Sequence, residues 1–273
     1  MTRSLKTDPC ILPRGSARSK QFLQCNPCYA EEMRAKRLVF CFVFLCCARS
    51  TIGQDAGKLL SRFESEHQIE AQTQVLRDIV RNYGDTAGPG LLKIAVRTKD
   101  SQTRFLAIGA LGDLKFQEAA PLIVSSLSDD NPGVRKASAI ALGHIKDSSS
   151  IPPLIELLKD EQDPEIVRRT AGALAFQGAT AALPTLKLRA NDGPTETRVG
   201  VISSIGVLGS KDEVPYLVKF LDDRDGFVAL AAIIGIEHLS GENFDWCGKN
   251  PCKYEEKIHK VNDWWQAHRS TWK

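Results

Sequence analysis

Two cysteines near the end of the chain have a spacing that suggests covalent chemistry. Cys247 and Cys252 enclose only the segment Gly-Lys-Asn-Pro. A redox-active pair more often has the C-x-x-C spacing at the start of a helix, and a metal site needs two further ligands. In an oxidising compartment a disulfide is the natural state of such a pair. We therefore expect a Cys247–Cys252 disulfide, which closes a short loop and adds about 2 kcal/mol of stability.

The other side chains that bind metals do not form a complete ligand set. Cys10, Cys25 and Cys28 supply three ligands, whereas a tetrahedral zinc site needs four. The histidines are scattered and share no carboxylate partner; they are His67, His144, His238, His259 and His268. The sequence has no glycine-rich phosphate loop, no G-x-S-x-G elbow and no H-E-x-x-H motif. We expect no cofactor, no metal and no enzymatic activity.

A cationic side chain recurs along the middle of the chain, at Arg104, Arg135, Arg168 and Arg198. These arginines form either a basic ladder for an anionic ligand or a set of structural bonds to turn carbonyls and to acidic residues of a neighbouring unit. A guanidinium offers five donors in a fixed geometry, which suits the structural role. We favour the structural interpretation.

A repeat with a period of roughly 31 residues positions these side chains. The first marker of each unit recurs with this period at Leu111, Leu142, Leu174 and Ile205. A second marker recurs with the same period at Leu122, Leu154, Leu186 and Leu217. Two markers that keep one period predict a repeat architecture.

Each repeat unit is predicted to be a pair of helices. The spacing of a single buried helical stripe is found in the first half of the unit, at Val134, Ala137, Ile140, Ala141 and Ile145, and again in the second half, at Leu154, Leu157 and Leu158. Prolines fall where the helices begin, in keeping with their tolerance in an opening turn; they are Pro132, Pro164 and Pro194 for first helices and Pro152, Pro184 and Pro215 for second helices. Small residues near the first marker let neighbouring hairpins approach and bury each other's apolar faces; they are Ala110, Gly112, Ala141, Gly143, Ala173, Ser204 and Gly206.

The best unit runs from Asp129 to Lys159 and reads DDNPGVRKASAIALG, followed by IPPLIELL. It resembles the short HEAT-like repeats first named from phycobilisome lyases, and the similarity extends over about residues 101–225. The resemblance implies an all-α fold, a right-handed α-solenoid of about five to six hairpins with a C-terminal capping helix. It also implies that first helices lie on the convex side and second helices on the concave side. The signatures of ankyrin and tetratricopeptide repeats are absent.

The repeats, at residues 101–240, are predicted to lie between two caps that cover the exposed ends of the stack. Residues 54–100 are predicted to form N-terminal capping helices, and residues 241–273 a C-terminal cap. One helix from Tyr254 to Trp272 is expected in the second cap. Its apolar face is predicted to consist of Ile258, Val261, Trp264, Trp265 and His268. Three tryptophans and a phenylalanine of this segment form either part of the cap, which we favour, or a surface on which a ligand stacks.

The start of the chain has the pattern of an export signal. A basic stretch after Met33 is followed by an apolar run at residues 38–48. A helix over this run spans only about 16 Å, too short for the roughly 30 Å hydrocarbon layer, so we expect no stable membrane anchor after cleavage. Residues 33–53 are therefore predicted to be a signal peptide, and residues 1–32 a non-native or disordered extension. Phe44 and Leu45 before Cys46 do not fit a lipoprotein site.

Charge argues against binding to nucleic acid. Residues 1–53 hold 9 Lys and Arg against 3 Asp and Glu, whereas the rest holds 27 against 30. Nucleic-acid binding needs clustered basic residues that displace counterions from phosphate. The slightly acidic body therefore favours a protein partner.

We expect a periplasmic or secreted, non-catalytic scaffold that binds a protein partner on its concave face. The predicted partner-binding residues lie in second helices; they are Glu156, Lys187, Arg189 and Lys219. Two alternatives stay open, a bilin lyase or lyase-like chaperone and a structural component of a cell-envelope complex. One enzyme class with HEAT-like repeats, the di-iron hydroxylase of hypusine synthesis, requires repeated His-Glu pairs, and no His is followed by Glu in this chain.

Overall fold

The computed structural model describes residues 55–244, 254–270 and 272, all of which belong to the unit that begins at Gly53. All regular structure in this part of the chain is helical. The helices are α1 (residues 55–65), α2 (Ile69–Tyr83), α3 (Gly88–Arg97), α4 (Ser101–Asp113), α5 (Ala120–Ser125), α6 (Pro132–Ile145), α7 (Ile151–Asp160), α8 (Pro164–Phe176), α9 (Leu183–Arg189), α10 (Thr195–Leu208), α11 (Val214–Leu217), α12 (Gly226–Ser240) and α13 (Tyr254–His268). Among these residues, no helix is both long and apolar enough to cross a membrane.

The helices form two layers, as the predicted α-solenoid requires. The first helices α4, α6, α8, α10 and α12 pack side by side in chain order. Each second helix packs against the first helix of the next unit, so that α5 contacts α6, α7 contacts α8, α9 contacts α10 and α11 contacts α12. The all-helical fold and the hairpin repeat are thereby confirmed.

Side-chain caps fix where several first helices begin. The side chain of Asn131 accepts a hydrogen bond from the backbone N–H of Gly133 at 2.8 Å, and Asp163 does the same for Glu165 at 2.9 Å. A proline follows each of these two caps at the first helical position, where its missing N–H costs nothing. The turns before α6 and α8 thus stop one unit and start the next.

The first marker of each unit is fully buried. Leu111, Leu142, Leu174 and Ile205 all have 0% exposure. They occupy one position in four successive helices, each packed against the next, and this places them in a row along the core. The predicted alignment of first helices is correct at these positions.

The second marker is wrong by one position in the first unit. Ile123, not Leu122, is the fully buried residue of α5, while Leu154, Leu186 and Leu217 are fully buried in the later units. If Ile123 is taken as the second marker of the first unit, the intervals between successive second markers equal those between successive first markers. The distance along the chain from the first to the second marker is therefore the same in every unit. The sequence LIV at residues 122–124 is apolar throughout and hides which of the three faces the core.

Glycines let neighbouring first helices approach closely. A Cβ atom added to Gly112 would lie 2.6 Å from the Cα of Ala141, and one added to Gly143 would lie 3.0 Å from the Cα of Ala173. At the α10–α12 contact, a Cβ on Gly206 would lie 2.7 Å from the Cα of Gly235. Because these neighbours are backbone atoms, no side-chain movement can make room.

The first three helices extend the stack on the N-terminal side. Phe63 of α1 and Val75 and Ile79 of α2 are buried. The buried Gln72 donates to the carbonyl of Phe63 at 3.1 Å and to the hydroxyl of Thr103 at 2.9 Å, and so joins α1, α2 and α4. Helices α2 and α3, within the segment predicted as a cap, both pack against α4, as the two helices of a repeat unit pack against the first helix of the next. The domain boundaries themselves stay a prediction.

Helix α13 packs its apolar face against the repeats. Val261 is fully buried, and Ile258, Trp264 and Trp265 lie half-buried against the core. His268 is exposed and stacks on Trp264, with ring centroids 5.3 Å apart. The helix ends at His268 rather than at Trp272, since the chain turns there and the indole N–H of Trp272 donates to the carbonyl of Lys211 at 2.7 Å. These contacts support the capping interpretation.

Replacing Leu142 by alanine is expected to lower the free energy of unfolding by about 2–5 kcal/mol, because it leaves a cavity in the buried row. Leu188→Ala is the matched control, since that side chain is 74% exposed, and we expect a change within about 0.5 kcal/mol. Urea denaturation of both variants measures the difference. Equal stability of the two variants would contradict the assigned core.

Replacing Gly112 by alanine is expected to lower the free energy of unfolding by about 1–3 kcal/mol, because the new Cβ collides with the backbone of Ala141. Gly109 lies in the same helix and has no atom within 4 Å of an added Cβ, so Gly109→Ala is expected to stabilise by up to about 1 kcal/mol through helix propensity. Chemical denaturation of the pair gives opposite signs if the close approach is real. A stabilised Gly112→Ala protein would argue against it.

Candidate functional site

Two lysines and a tyrosine converge on the face formed by the second helices. The ammonium groups of Lys187 in α9 and Lys219 lie 5.5 Å each from the ring centroid of Tyr216 in α11. The hydroxyl of Tyr216 donates to the backbone carbonyl of Lys187 at 2.7 Å, which fixes the ring between the two units. Phe220 contacts the same ring edge-on, with centroids 5.4 Å apart. We call Lys187, Tyr216 and Lys219 the lysine–tyrosine cluster.

One carboxylate lies within reach of the cluster. Glu213 is largely buried and forms an ion pair with Lys187. Partial burial, and secondarily the negative charge of Glu213, raise the pKa of Tyr216, so the phenol remains a hydrogen-bond donor at neutral pH. Lys219 is exposed and has no carboxylate partner among the described residues. The cluster thus carries two ammonium groups against one carboxylate.

A large apolar side chain directly follows Lys187 of the cluster in helix α9. Leu188 is 74% exposed, more than any other large hydrophobic residue in the part of the chain that the structure describes. It holds the position in α9 that Glu156 holds in α7 and that Lys219 holds in the last unit, two places after the buried second marker in each case. The prediction from sequence selected charged residues only and omitted Leu188, although the repeat alignment gives its position.

The four residues predicted to bind a partner do not form a single cluster. Glu156 is exposed and lies 3.6 Å from Lys159 of its own helix. Lys187 and Lys219 meet at Tyr216, whereas the side chain of Arg189 is only 18% exposed and its guanidinium donates to the carbonyl of Glu161 at 2.9 Å. Partner binding by these four residues stays a prediction; the structure places Arg189 in a structural contact as well.

The recurring arginines bind the turns of neighbouring units. Arg104 donates to Asp129 at 2.7 Å and to the carbonyl of Thr98 at 2.7 Å. Arg135 repeats this pattern with Glu161 at 2.8 Å and the carbonyl of Asp129 at 3.0 Å. Arg198 forms an ion pair with Asp223, which again follows the second helix of the unit. These contacts fit the structural interpretation.

Arg168 is not part of this ladder, contrary to the prediction. It donates to Glu165 of its own helix at 2.8 Å, and the equivalent ladder position is the buried Val167. Arg189 supplies the missing guanidinium from a second helix. It reaches the carbonyl of Glu161 in the turn before α8 and lies 4.0 Å from Asp192 in the turn after α9. The sequence prediction aligned the units by residue type and therefore selected Arg168, which is adjacent to the equivalent position 167.

The ion pair between Arg135 and Glu161 couples stability to pH. Partial burial raises the pKa of Glu161, but hydrogen bonds from Arg135 and from the backbone N–H groups of Asp163 and Gln162 outweigh it and hold the pKa below the ordinary value. The folded state therefore favours the carboxylate. Its contribution is complete above about pH 4.5, the ordinary pKa of a glutamate, and is lost as the pH falls through the lower pKa of the folded state.

No metal centre is evident in the described part of the chain. No group of three or more His, Cys, Asp and Glu side chains lies close enough there to hold a metal ion. His144 lies 3.4 Å from Asp113, which is a pair and not a ligand set. Cys247 and Cys252, the predicted disulfide, lie outside the described residues, as do Cys10, Cys25, Cys28 and the predicted signal peptide.

Replacing Arg135 by glutamine is expected to lower the free energy of unfolding by about 1–3 kcal/mol at pH 7, because Glu161 loses its partner while it stays largely buried. The difference from the unmodified protein should shrink as the pH falls through the lowered pKa of Glu161 and this carboxylate becomes protonated in both proteins. Urea denaturation at several pH values measures this. Arg169→Gln, at a surface pair whose side chains are 44% and 39% exposed, is the control, and an equal loss there would contradict a special role of Arg135.

Comparison with protein families identifies the repeats. Residues 88–175 match the family of HEAT repeats. The chain is 37% identical to a deoxyhypusine hydroxylase of Danio rerio over 113 residues, and 33% identical to the 26S proteasome regulatory subunit RPN2 of Eremothecium gossypii over 142 residues. These alignments cover 41% and 50% of this chain but only 36% and 15% of the two relatives.

Solved structures share the fold. The complex of CpcE and CpcF of phycocyanin lyase from Nostoc sp. PCC7120 aligns with a TM-score of 0.51 at 20% identity, over 57% of this chain and 65% of that one. An engineered protein aligns with a TM-score of 0.52 at 19% identity, over 68% of this chain and 97% of that one. At this identity the likeness concerns the fold alone. This likeness agrees with the α-solenoid fold of the described residues, of which 88–175 match HEAT repeats.

Proposed function

We propose that this chain is an exported, non-catalytic scaffold that binds a protein partner on the face formed by its second helices. The family resemblance favours the concave side of the solenoid for that face. The observation that carries the proposal is the contrast between repeated and variable positions. The buried markers are leucine or isoleucine in every unit, whereas one equivalent position on this face changes from Ser125 to Glu156, Leu188 and Lys219.

A variable surface on a regular framework suits recognition of a macromolecule. The framework holds side chains from consecutive units at fixed separations, so an extended partner meets a defined series of groups. Leu188 and the lysine–tyrosine cluster offer apolar area next to charge, a composition found in protein interfaces. Repeat proteins use such extended surfaces for binding.

Two features of the sequence support the non-catalytic and exported parts of the proposal. No His is followed by Glu, although the hydroxylase class that shares this repeat needs such pairs. The basic residues after Met33 and the apolar run at residues 38–48 have the order of a secretory signal peptide. A periplasmic or secreted location follows from that pattern and favours the Cys247–Cys252 disulfide.

Charge reversal on the second-helix face is expected to remove the partner. Glu156 and Lys219 are exposed, so Glu156→Lys with Lys219→Glu should leave the fold intact and reduce the amount of cross-linked, co-purified partner about tenfold through like-charge repulsion. Lys187 and Arg189 are kept, because both hold contacts within the chain. Mass spectrometry of the cross-linked complex gives the readout.

The matched control reverses the same two charge types on first helices, with Lys136→Glu and Glu196→Lys. Partner recovery should equal that of the unmodified protein. If the first-helix variant loses the partner and the second-helix variant keeps it, binding occurs on the other layer and the proposal is wrong. Thermal melting of all three proteins shows whether the fold is retained.

A further inference from the structure

The lysine–tyrosine cluster carries one positive charge that no carboxylate among the described residues neutralises. Lys187 is paired with Glu213, whereas Lys219 approaches the same ring with no carboxylate partner among the described residues. Two ammonium groups against one carboxylate leave the cluster with a net positive charge, which attracts a further anion. The ring also attracts both cations through its electron-rich face. The arrangement is therefore preorganised for a carboxylate from outside the chain.

The neighbouring unit supplies an apolar contact at a defined separation. Leu188 lies in α9, one second helix before Lys219, and is 74% exposed. Packed helices lie about 8–10 Å apart, and a polyproline II segment advances about 3.1 Å per residue with three residues per turn, so that side chains three positions apart share one face. A peptide in this conformation that crosses the second helices thus places a large apolar side chain about three positions from its acidic side chain.

We propose that the lysine–tyrosine cluster and Leu188 bind an acidic segment of a partner protein, with a large apolar side chain about three positions from its carboxylates. The proposal rests on the proposed function, since it names the chemistry of the partner on the same face. Charge complementarity selects the acidic group, and Leu188 selects the apolar one. Glu156, at the equivalent position one further unit away, disfavours a second acidic group there.

Nucleic acid offers anionic groups too, but the surroundings disfavour it. The chain after residue 53 holds 27 basic against 30 acidic side chains, so a long polyanion is repelled overall. Tyr216 is half-buried, its hydroxyl is bonded to the carbonyl of Lys187, and two lysines lie over its ring. The ring is therefore not free to stack on a base. A short acidic segment meets the local positive charge without this cost.

Fluorescein-labelled peptides test the proposal on the full chain. The probe carries two glutamates followed three positions later by leucine in a glycine–serine background. A second peptide has glutamines for the glutamates, and a third has alanine for the leucine. Fluorescence anisotropy at low salt should show the acidic leucine peptide binding most tightly, with affinity that falls as salt is added. Equal binding of the glutamine peptide, or tighter binding of a single-stranded oligonucleotide, would overturn the proposal.

Single substitutions on the protein locate the site. Lys219→Gln and Leu188→Ala should each weaken binding of the acidic leucine peptide about twofold to fivefold, the usual effect of one exposed contact. Lys136→Gln on α6 is the matched control and should leave binding unchanged. Melting temperatures verify that the three variants are folded, as expected from the exposure of Lys219 and Leu188. An equal effect of Lys219→Gln and Lys136→Gln would contradict the assignment.

The result of the peptide-binding experiment can be distinguished from the result of the cross-linking experiment. If the peptides fail to discriminate while reversal of Glu156 and Lys219 still removes the partner, the second-helix face binds a protein but not through an acidic segment. If both experiments fail, the face itself is wrongly assigned. Discrimination by the peptides together with loss of the partner supports both proposals.

Discussion

The close approach of neighbouring first helices is the constraint on which the rest of the structure depends. Gly112 faces Ala141, Gly143 faces Ala173, and Gly206 faces Gly235, with so little space that one methyl group would overlap backbone atoms. No flexible side chain lies between them, so the separation of the units is set by the backbone. The rows of buried leucines, the arginine ladder and the spacing of surface residues all follow from that separation.

The arginine ladder shows how strongly this geometry selects its contacts. In the units of Arg104 and Arg135, a guanidinium is bonded to the turn before the unit and to an acidic residue in the turn after it. Where the ladder position is Val167, Arg189 reaches the same two points from another helix, although its distance to the acidic residue grows to 4.0 Å. The turn therefore requires a guanidinium between its carbonyl and the acidic residue, and it matters less which helix supplies that guanidinium. A buried carbonyl or carboxylate without a hydrogen-bond donor lowers the stability of the fold, and this explains why Arg189 supplies the donor that Val167 lacks.

Much of the fold can be predicted from the sequence because one pattern recurs from unit to unit. The period, the two-helix unit and the buried first markers all depend on apolar residues that must be buried and on small residues that close helix packing requires. The errors arise where several residues meet the same requirement. Three consecutive apolar residues around Ile123 hide the register of α5, and two neighbouring arginines, at 168 and 169, obscure the fact that Val167 occupies the ladder position. The end of α13 depends on a contact between Trp272 and Lys211, which are far apart along the chain, and no local pattern reports it.

The candidate site is less predictable than the fold for a physical reason. Each interior position must satisfy two neighbours of fixed separation, and so its residue type is nearly determined. A position on the exposed side of a second helix is not restricted in this way. The residue there can change from Glu156 in one unit to Leu188 in the next without any cost to packing. Sequence reasoning looks for charge at such positions because exposed leucines are common on protein surfaces. Only the place of Leu188 directly after Lys187, in the helix that contributes this lysine to the cluster, distinguishes it from an ordinary exposed leucine. In a stack whose interior is fixed by backbone contact, differences between units are free to accumulate on the exposed faces, and the proposed partner would be recognised through those differences.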